Sequence, residues 1–148
     1  MQREEYVGHA LRATGVNEKF NLETMKGGGS DRVMFRIRTA SHSFVLVENP
    51  VPQKYDNEFN ENDSFCYLAK LLENINSPNK LAPAVIHSDL EQYRYIVEDL
   101  GDVHLLDLLR AVQADKALTG EETDSGIYGL YEPVLDDLIL IQSRLRDT

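Results

Sequence analysis

Lys26-Gly27-Gly28-Gly29-Ser30-Asp31-Arg32 stands between two stretches of extended character. Upstream, Phe20, Leu22 and Thr24 alternate with polar neighbours over residues 19–25, and downstream residues 33–39 resume an extended pattern. Alternation of period two puts successive side chains on opposite faces of a strand, and a glycine run breaks a strand into a turn. The stretch therefore predicts strand, glycine turn, strand. Immediately beyond, residues 43–48 hold Phe44-Val45-Leu46-Val47 between polar ends, which predicts a third and more central strand. Pro50 and Pro52 close it, because proline has no N–H to give to a sheet.

Working outward, Tyr6, Val7, Ala10, Leu11 and Ala13 recur at helical spacing over residues 2–14, and Gly15 supplies a stop. After the polar segment 53–57 a long helix is expected over residues 58–74, with Phe65, Leu68, Ala69, Leu71 and Leu72 on its apolar face. The turn cluster 76–79, a short strand over 84–88, a second turn at 89–92 and a β-rich run over 93–98 predict a further hairpin. Leu105, Leu106, Leu108 and Leu109 mark a short helix, residues 114–125 a polar linker, and residues 128–146 an amphipathic helix. The expected fold class is α+β: a five-stranded antiparallel sheet with one packed long helix and a leading helix over residues 1–100, then helices over 101–148. The stripe Tyr128, Tyr131, Leu135, Leu138, Ile139, Ile141 and Leu145 in the last helix reads as a core face. It is expected either to fold back or to be covered by helices that the chain does not contain, as if a helical region were barely begun.

Composition narrows the function classes. The 148 residues are 42% hydrophobic, enough for one real core. Twenty-five acidic against 15 basic side chains give a net charge of -10, which opposes the phosphate backbone, so nucleic acid is not an expected partner. Cys66 is the only cysteine, so neither an intramolecular disulfide nor a cysteine-based zinc site can form, and a buried inert thiol in a reducing compartment is expected. The first nine residues carry no apolar run of the kind a signal peptide or membrane helix needs, which makes the expected location cytoplasmic and the membrane no expected partner. His9, His42 and His104 show no metal-ligand spacing, and no metal ligand is assigned.

Three segments can carry chemistry. Consecutive glycines let backbone amides approach phosphate oxygens without Cβ interference, and Ser30 adds a hydroxyl; a ligand-free hairpin turn would use the same residues. The segment is neither a Walker loop nor a dinucleotide fingerprint, since it joins strand to strand. Tyr95-Ile96-Val97-Glu98-Asp99-Leu100-Gly101-Asp102 runs from a strand into a tight connection, whose backbone groups can hold an adenine edge-on; Glu98 and Asp99 can equally be solvated turn acids. Glu61 on the long helix can orient a cation toward the sheet, or lie on a solvated face.

Taken in chain order, Gly27-Gly28-Gly29-Ser30-Asp31-Arg32-Val33-Met34-Phe35-Arg36-Ile37, then Glu61-Asn62 with Phe65, then Tyr95 through Leu109 resemble the N-terminal lobe of the aminoglycoside phosphotransferase and choline kinase-like family, of protein kinase-like fold. Within it the sequence is most similar to bacterial sugar and cell-wall amino-sugar kinases, whose hinge often reads Glu-Asp-Leu-Gly-Asp. The resemblance covers residues 17–109 and, loosely, 128–145 as the first long helix of a C-terminal lobe. It implies that Gly27, Gly28, Gly29 and Ser30 cover the nucleotide phosphates, that Glu98, Asp99 and Leu100 contact adenine through the backbone, and that Glu61 is the helix acid. Arg32 and Arg36 would flank the phosphate loop and offer charge-assisted contacts. The implied cofactor is ATP with Mg²⁺, its metal ligands lying in the missing lobe, and the implied acceptor is a hydroxyl of a small sugar or aminoglycoside-like molecule.

Two departures qualify that implication. The third strand, Phe44-Val45-Leu46-Val47-Glu48, has no lysine, so Arg36 or Lys54 would have to substitute for the usual phosphate-binding side chain. The catalytic loop His-Gly-Asp with an Asn five positions on, and the later metal-binding Asp, are not in the sequence; His87-Ser88-Asp89 precedes the hinge and is followed at that distance by Arg94. No catalytic residue is assigned, and the chain alone is expected to be inactive. The alternative is a non-catalytic kinase-like interaction module that associates with itself or a partner through its last helix.

Overall fold

A computed structural model describes residues 2–26, 31–49, 61–119 and 124–146. The architecture is α+β, with a five-stranded antiparallel sheet and, among the described residues, four α-helices. The chain divides into two compact units, Met1–Asn74 with Ala82–Asp99, and Ile75–Leu81 with Leu100–Thr148.

In the first unit α1 spans Arg3–Ala13 and β1 Asn21–Thr24. They are followed by β2 (Val33–Arg38), β3 (Ser43–Glu48), α2 (Glu61–Glu73), β4 (Val85–Asp89) and β5 (Arg94–Glu98). The sheet order is β1-β2-β3-β5-β4, so β3 lies at the centre. That position explains its unbroken apolar run: a strand covered on both faces needs no polar alternate. Phe44, Leu46, Phe35, Ile37 and Ile96 on one face pack with Tyr6, Val7, Ala10 and Leu11 of α1. Val45, Val47, Tyr95 and Val97 on the other pack with Cys66 and Phe65 of α2. The sheet is thus covered by two helices, one on each face, where the sequence predicts one packed helix and a separate leading one.

Helix α1 ends as Gly15 predicts. Gly15 has φ +85°, its N–H donates to Arg12 C=O at 3.1 Å, and Val16 N–H donates to Leu11 C=O at 2.9 Å, which is the paired Schellman closure. Val16 then packs against the core. On α2 the buried positions are Asn62, Cys66 and Ala69, one step round from the predicted face, and Leu68 is exposed. Spacing of four and three keeps these small or short side chains on one stripe, which lets the helix approach the sheet.

In the second unit α3 (Leu105–Thr119) and α4 (Asp124–Leu145) occupy most of the stretch predicted as linker. Ala114, Lys116, Ala117 and Leu118 are strong helix formers with no glycine or proline among them until Gly120, so the polar composition does not interrupt the helix. Asp137 of α4 accepts from Ser77 Oγ at 2.7 Å and Asn79 Nδ2 at 3.0 Å, which ties the 75–81 turn to this unit. The predicted core stripe of α4 is exposed at Tyr128, Tyr131, Leu135, Leu138 and Ile139. No helix among the described residues is long and apolar enough to cross a membrane.

Candidate functional site

Period-two alternation places Met34 and Arg36 of β2 on the face that α2 covers, along with Val45 and Val47 of β3 and Tyr95 and Val97 of β5. Four of the predicted site residues meet in two ion pairs, Arg32 with Glu61 and Arg36 with Asp99, pairings the sequence did not assign. Arg32, one residue before β2, forms an ion pair through Nη2 with Oε1 of Glu61, the first residue of α2. The arginine side chain is 19% exposed and the glutamate 68%, so the pair bridges the buried edge of the sheet to solvent. Nε of Arg32 is buried and has no hydrogen-bond acceptor among the described residues. A guanidinium carries five donors in a fixed fork, and one left without an acceptor in a buried position is costly, so this N–H favours an incoming anion. Gly27, Gly28, Gly29 and Ser30, and Lys54 as the alternative cation, lie outside the described residues.

Arg36 is engaged differently. Its Nε lies 2.8 Å from Asp99 Oδ2 and its Nη2 donates to Asp99 Oδ1 at 3.1 Å, while Ser43 Oγ donates to Asp99 Oδ2 at 2.5 Å. The two charged side chains are 9% and 7% exposed. Register accounts for the meeting: Phe44 pairs with Glu98, so continuing the ladder sets Ser43 opposite Asp99, and Ser43 itself pairs with Arg38, two residues from Arg36 on the same face. Arg36 is thus held in a buried pair with a carboxylate of this chain.

Glu98 ends β5 and is fastened to the neighbouring segment. Its N–H donates to Ala84 C=O at 3.0 Å, and its Oε2 accepts from Ala84 N–H at 3.3 Å. The amide of Glu98 is therefore engaged with the neighbouring segment. Leu100 belongs to the second unit and is exposed. On the α2 side Phe65 stacks on Tyr95 with ring centroids 5.0 Å apart. Burial pushes the Tyr95 phenol up to about 12, with the Arg32 charge opposing.

A second group of titratable side chains sits on the α1 face. Tyr6 Oη lies 3.1 Å from His87 Nδ1, the His9 and His87 rings meet edge-on at 6.1 Å, and the Arg94 guanidinium covers the Tyr6 ring at 4.0 Å while pairing with Asp89 at 2.9 Å. His87-Ser88-Asp89 thus lies on β4 with its first and last residues in these contacts. Cys66 is buried and desolvation raises its thiol pKa, which leaves little thiolate.

Ser43 and Tyr6 are the residues that sequence reasoning missed. The available signal was Arg36 itself: a cation at an inward position of a strand buried on both faces requires a carboxylate, and the strand-end acids were the candidates. Among the described residues no group of three or more His, Cys, Asp or Glu side chains could hold a metal ion. No family model, curated protein or solved structure matches this chain.

Proposed function

We propose that the first unit is the nucleotide-binding lobe of an ATP-dependent phosphotransferase of the aminoglycoside phosphotransferase type, acting on a hydroxyl of a small sugar-like acceptor. The observation that carries this reading is the Arg32–Glu61 pair, whose arginine Nε has no acceptor among the described residues and which stands three positions after the glycine run. Phosphoryl-transfer sites use a cation held by a helix carboxylate to position the phosphates. Here Arg32 takes the part that the third strand leaves vacant, Glu61 orients it, and the amides of Gly27, Gly28 and Gly29 with the hydroxyl of Ser30 approach the phosphate oxygens. The five-stranded order with a helix crossing from β3 to β4 supports a kinase-like lobe.

The test is a thermal-unfolding titration with ADP, with ATP and with adenosine, each in EDTA. A ligand that binds only the folded state raises stability by about 2.7 kcal/mol at a hundred times its dissociation constant. A saturable rise with ADP and ATP that exceeds the effect of adenosine supports the reading. No rise at millimolar nucleotide overturns it.

A second reading, a non-catalytic kinase-like interaction module, is supported by β3, where Phe44, Val45, Leu46 and Val47 are all buried and none is cationic. It predicts that the same titration shows no rise.

A further inference from the structure

We infer that Arg36, Asp99 and Ser43 form a positioning device that holds the backbone leaving β5, and that neither charge is offered to a ligand. The nucleotide part of this inference rests on the reading proposed above.

The Arg36 guanidinium lies against both carboxylate oxygens, its Nη2 donating to Oδ1 and its Nε in ion-pair contact with Oδ2, and Ser43 donates to Oδ2, so Asp99 is held from two strands. These contacts join residues separated by 63 and 56 positions in sequence, so β2, β3 and the exit of β5 are locked at one point. Asp99 is the first residue after β5, and two residues later Gly101 turns with φ +85°. A buried ion pair gives up the hydration of both charges and adds little net stability, and apolar side chains of similar volume can replace it without loss. What those side chains cannot reproduce is the direction imposed by a planar fork. The fork therefore fixes where the Asp99 backbone stands, alongside the amide of Glu98 already held by Ala84. A base held edge-on by backbone groups at the end of β5 needs those groups preset.

The test compares the wild-type chain with Arg36→Met/Ser43→Ala/Asp99→Leu, which removes the polar cluster and leaves an apolar filling. Three quantities are read: urea stability, hydrogen exchange of the amides of residues 98–101, and ADP affinity. The expected result is stability close to wild type, local exchange faster by about tenfold or more, and ADP binding weaker by about tenfold. A purely structural cluster would move stability and leave exchange at these amides tied to global unfolding. Unchanged local exchange overturns the inference whatever the nucleotide does. Faster exchange with unchanged ADP affinity overturns the link to the ligand while the nucleotide reading stands. No ADP binding by the wild-type chain overturns the reading itself and the nucleotide part of this inference, while local exchange still decides the positioning device. Should the triple variant not fold, Arg36→Lys keeps the charge and loses the fork, and the same local exchange and affinity changes are expected at smaller size.

Discussion

Tyr6 of α1 and His87 of β4, 81 residues apart, meet through the phenol oxygen and Nδ1 at 3.1 Å. The tyrosine is fully buried and donates when that nitrogen carries a lone pair, so the contact favours neutral His87. Burial lowers the His87 pKa, the neighbouring His9 and Arg94 charges act in the same direction, and Asp89 opposes them. A histidine with a folded-state pKa below its unfolded value contributes stability that is present above the unfolded value, about 6.5, and lost as pH falls through the folded one. Urea midpoints should therefore fall between pH 7 and pH 5, with α1 amides losing exchange protection first. His87→Gln should flatten that dependence. An equally steep fall in the variant would place the titration elsewhere.

Leu46 is fully buried at the centre of the sheet, against α1 and its neighbours on β2 and β5. Leu46→Ala removes apolar contacts and leaves a cavity, and should cost about 2–5 kcal/mol in urea unfolding. Leu138→Ala, on the exposed stripe of α4, should stay within about 0.5 kcal/mol. A comparable loss at Leu138 would mean that the stripe is covered in solution.

These two leucines also mark what the sequence could convey. The sheet was legible because β1, β2 and β3 carry period-two or unbroken apolar patterns and the glycine run falls between them. The turn at Gly15 was legible because only glycine adopts that conformation without strain. Residues 114–119 were misread because a polar surface helix and a polar linker share a composition, and only propensity separates them. For the candidate site the residue identities were legible and their pairing was not. Nothing local in Val33–Arg38 says that Arg36 turns to Asp99 while Arg32 turns to Glu61; β3 to β5 register and the placement of α2 decide it.

The β2–β3 turn is tied to the segment before β1 by Glu18. Its carboxylate accepts from Ser41 Oγ and, at 3.0 Å, from Ser41 N–H. Hydrogen bonds from the Ser41 and Thr39 hydroxyls and the Ser41 amide, with a smaller effect of His42, lower its pKa from 4.5 to about 2. Because the folded value lies below the unfolded one, this contribution to stability is present above about pH 4.5 and is lost as pH falls toward 2. Ser41→Ala removes the hydroxyl donor, and an NMR titration should find the Glu18 carboxyl moved back toward the ordinary range. An unchanged Glu18 titration would mean that Ser41 does not hold it in solution.

Arg32 and Glu61 separate ligand contact from orientation. Arg32→Met removes the cation, and the loss of one charged hydrogen bond, about 1.5–3 kcal/mol, corresponds to roughly 10- to 100-fold weaker ADP binding. Glu61→Gln leaves Arg32 in place without its charged partner. Because Glu61 is 68% exposed, folding stability should change by no more than about 1 kcal/mol. ADP binding should weaken only a few-fold, since the cation remains and only its orientation relaxes. Isothermal titration of the wild type and both variants at two salt concentrations checks this. The salt dependence should shrink in Arg32→Met, because one fewer cation faces the phosphates. If Arg32→Met binds ADP as tightly as wild type, the phosphate contact belongs to another residue.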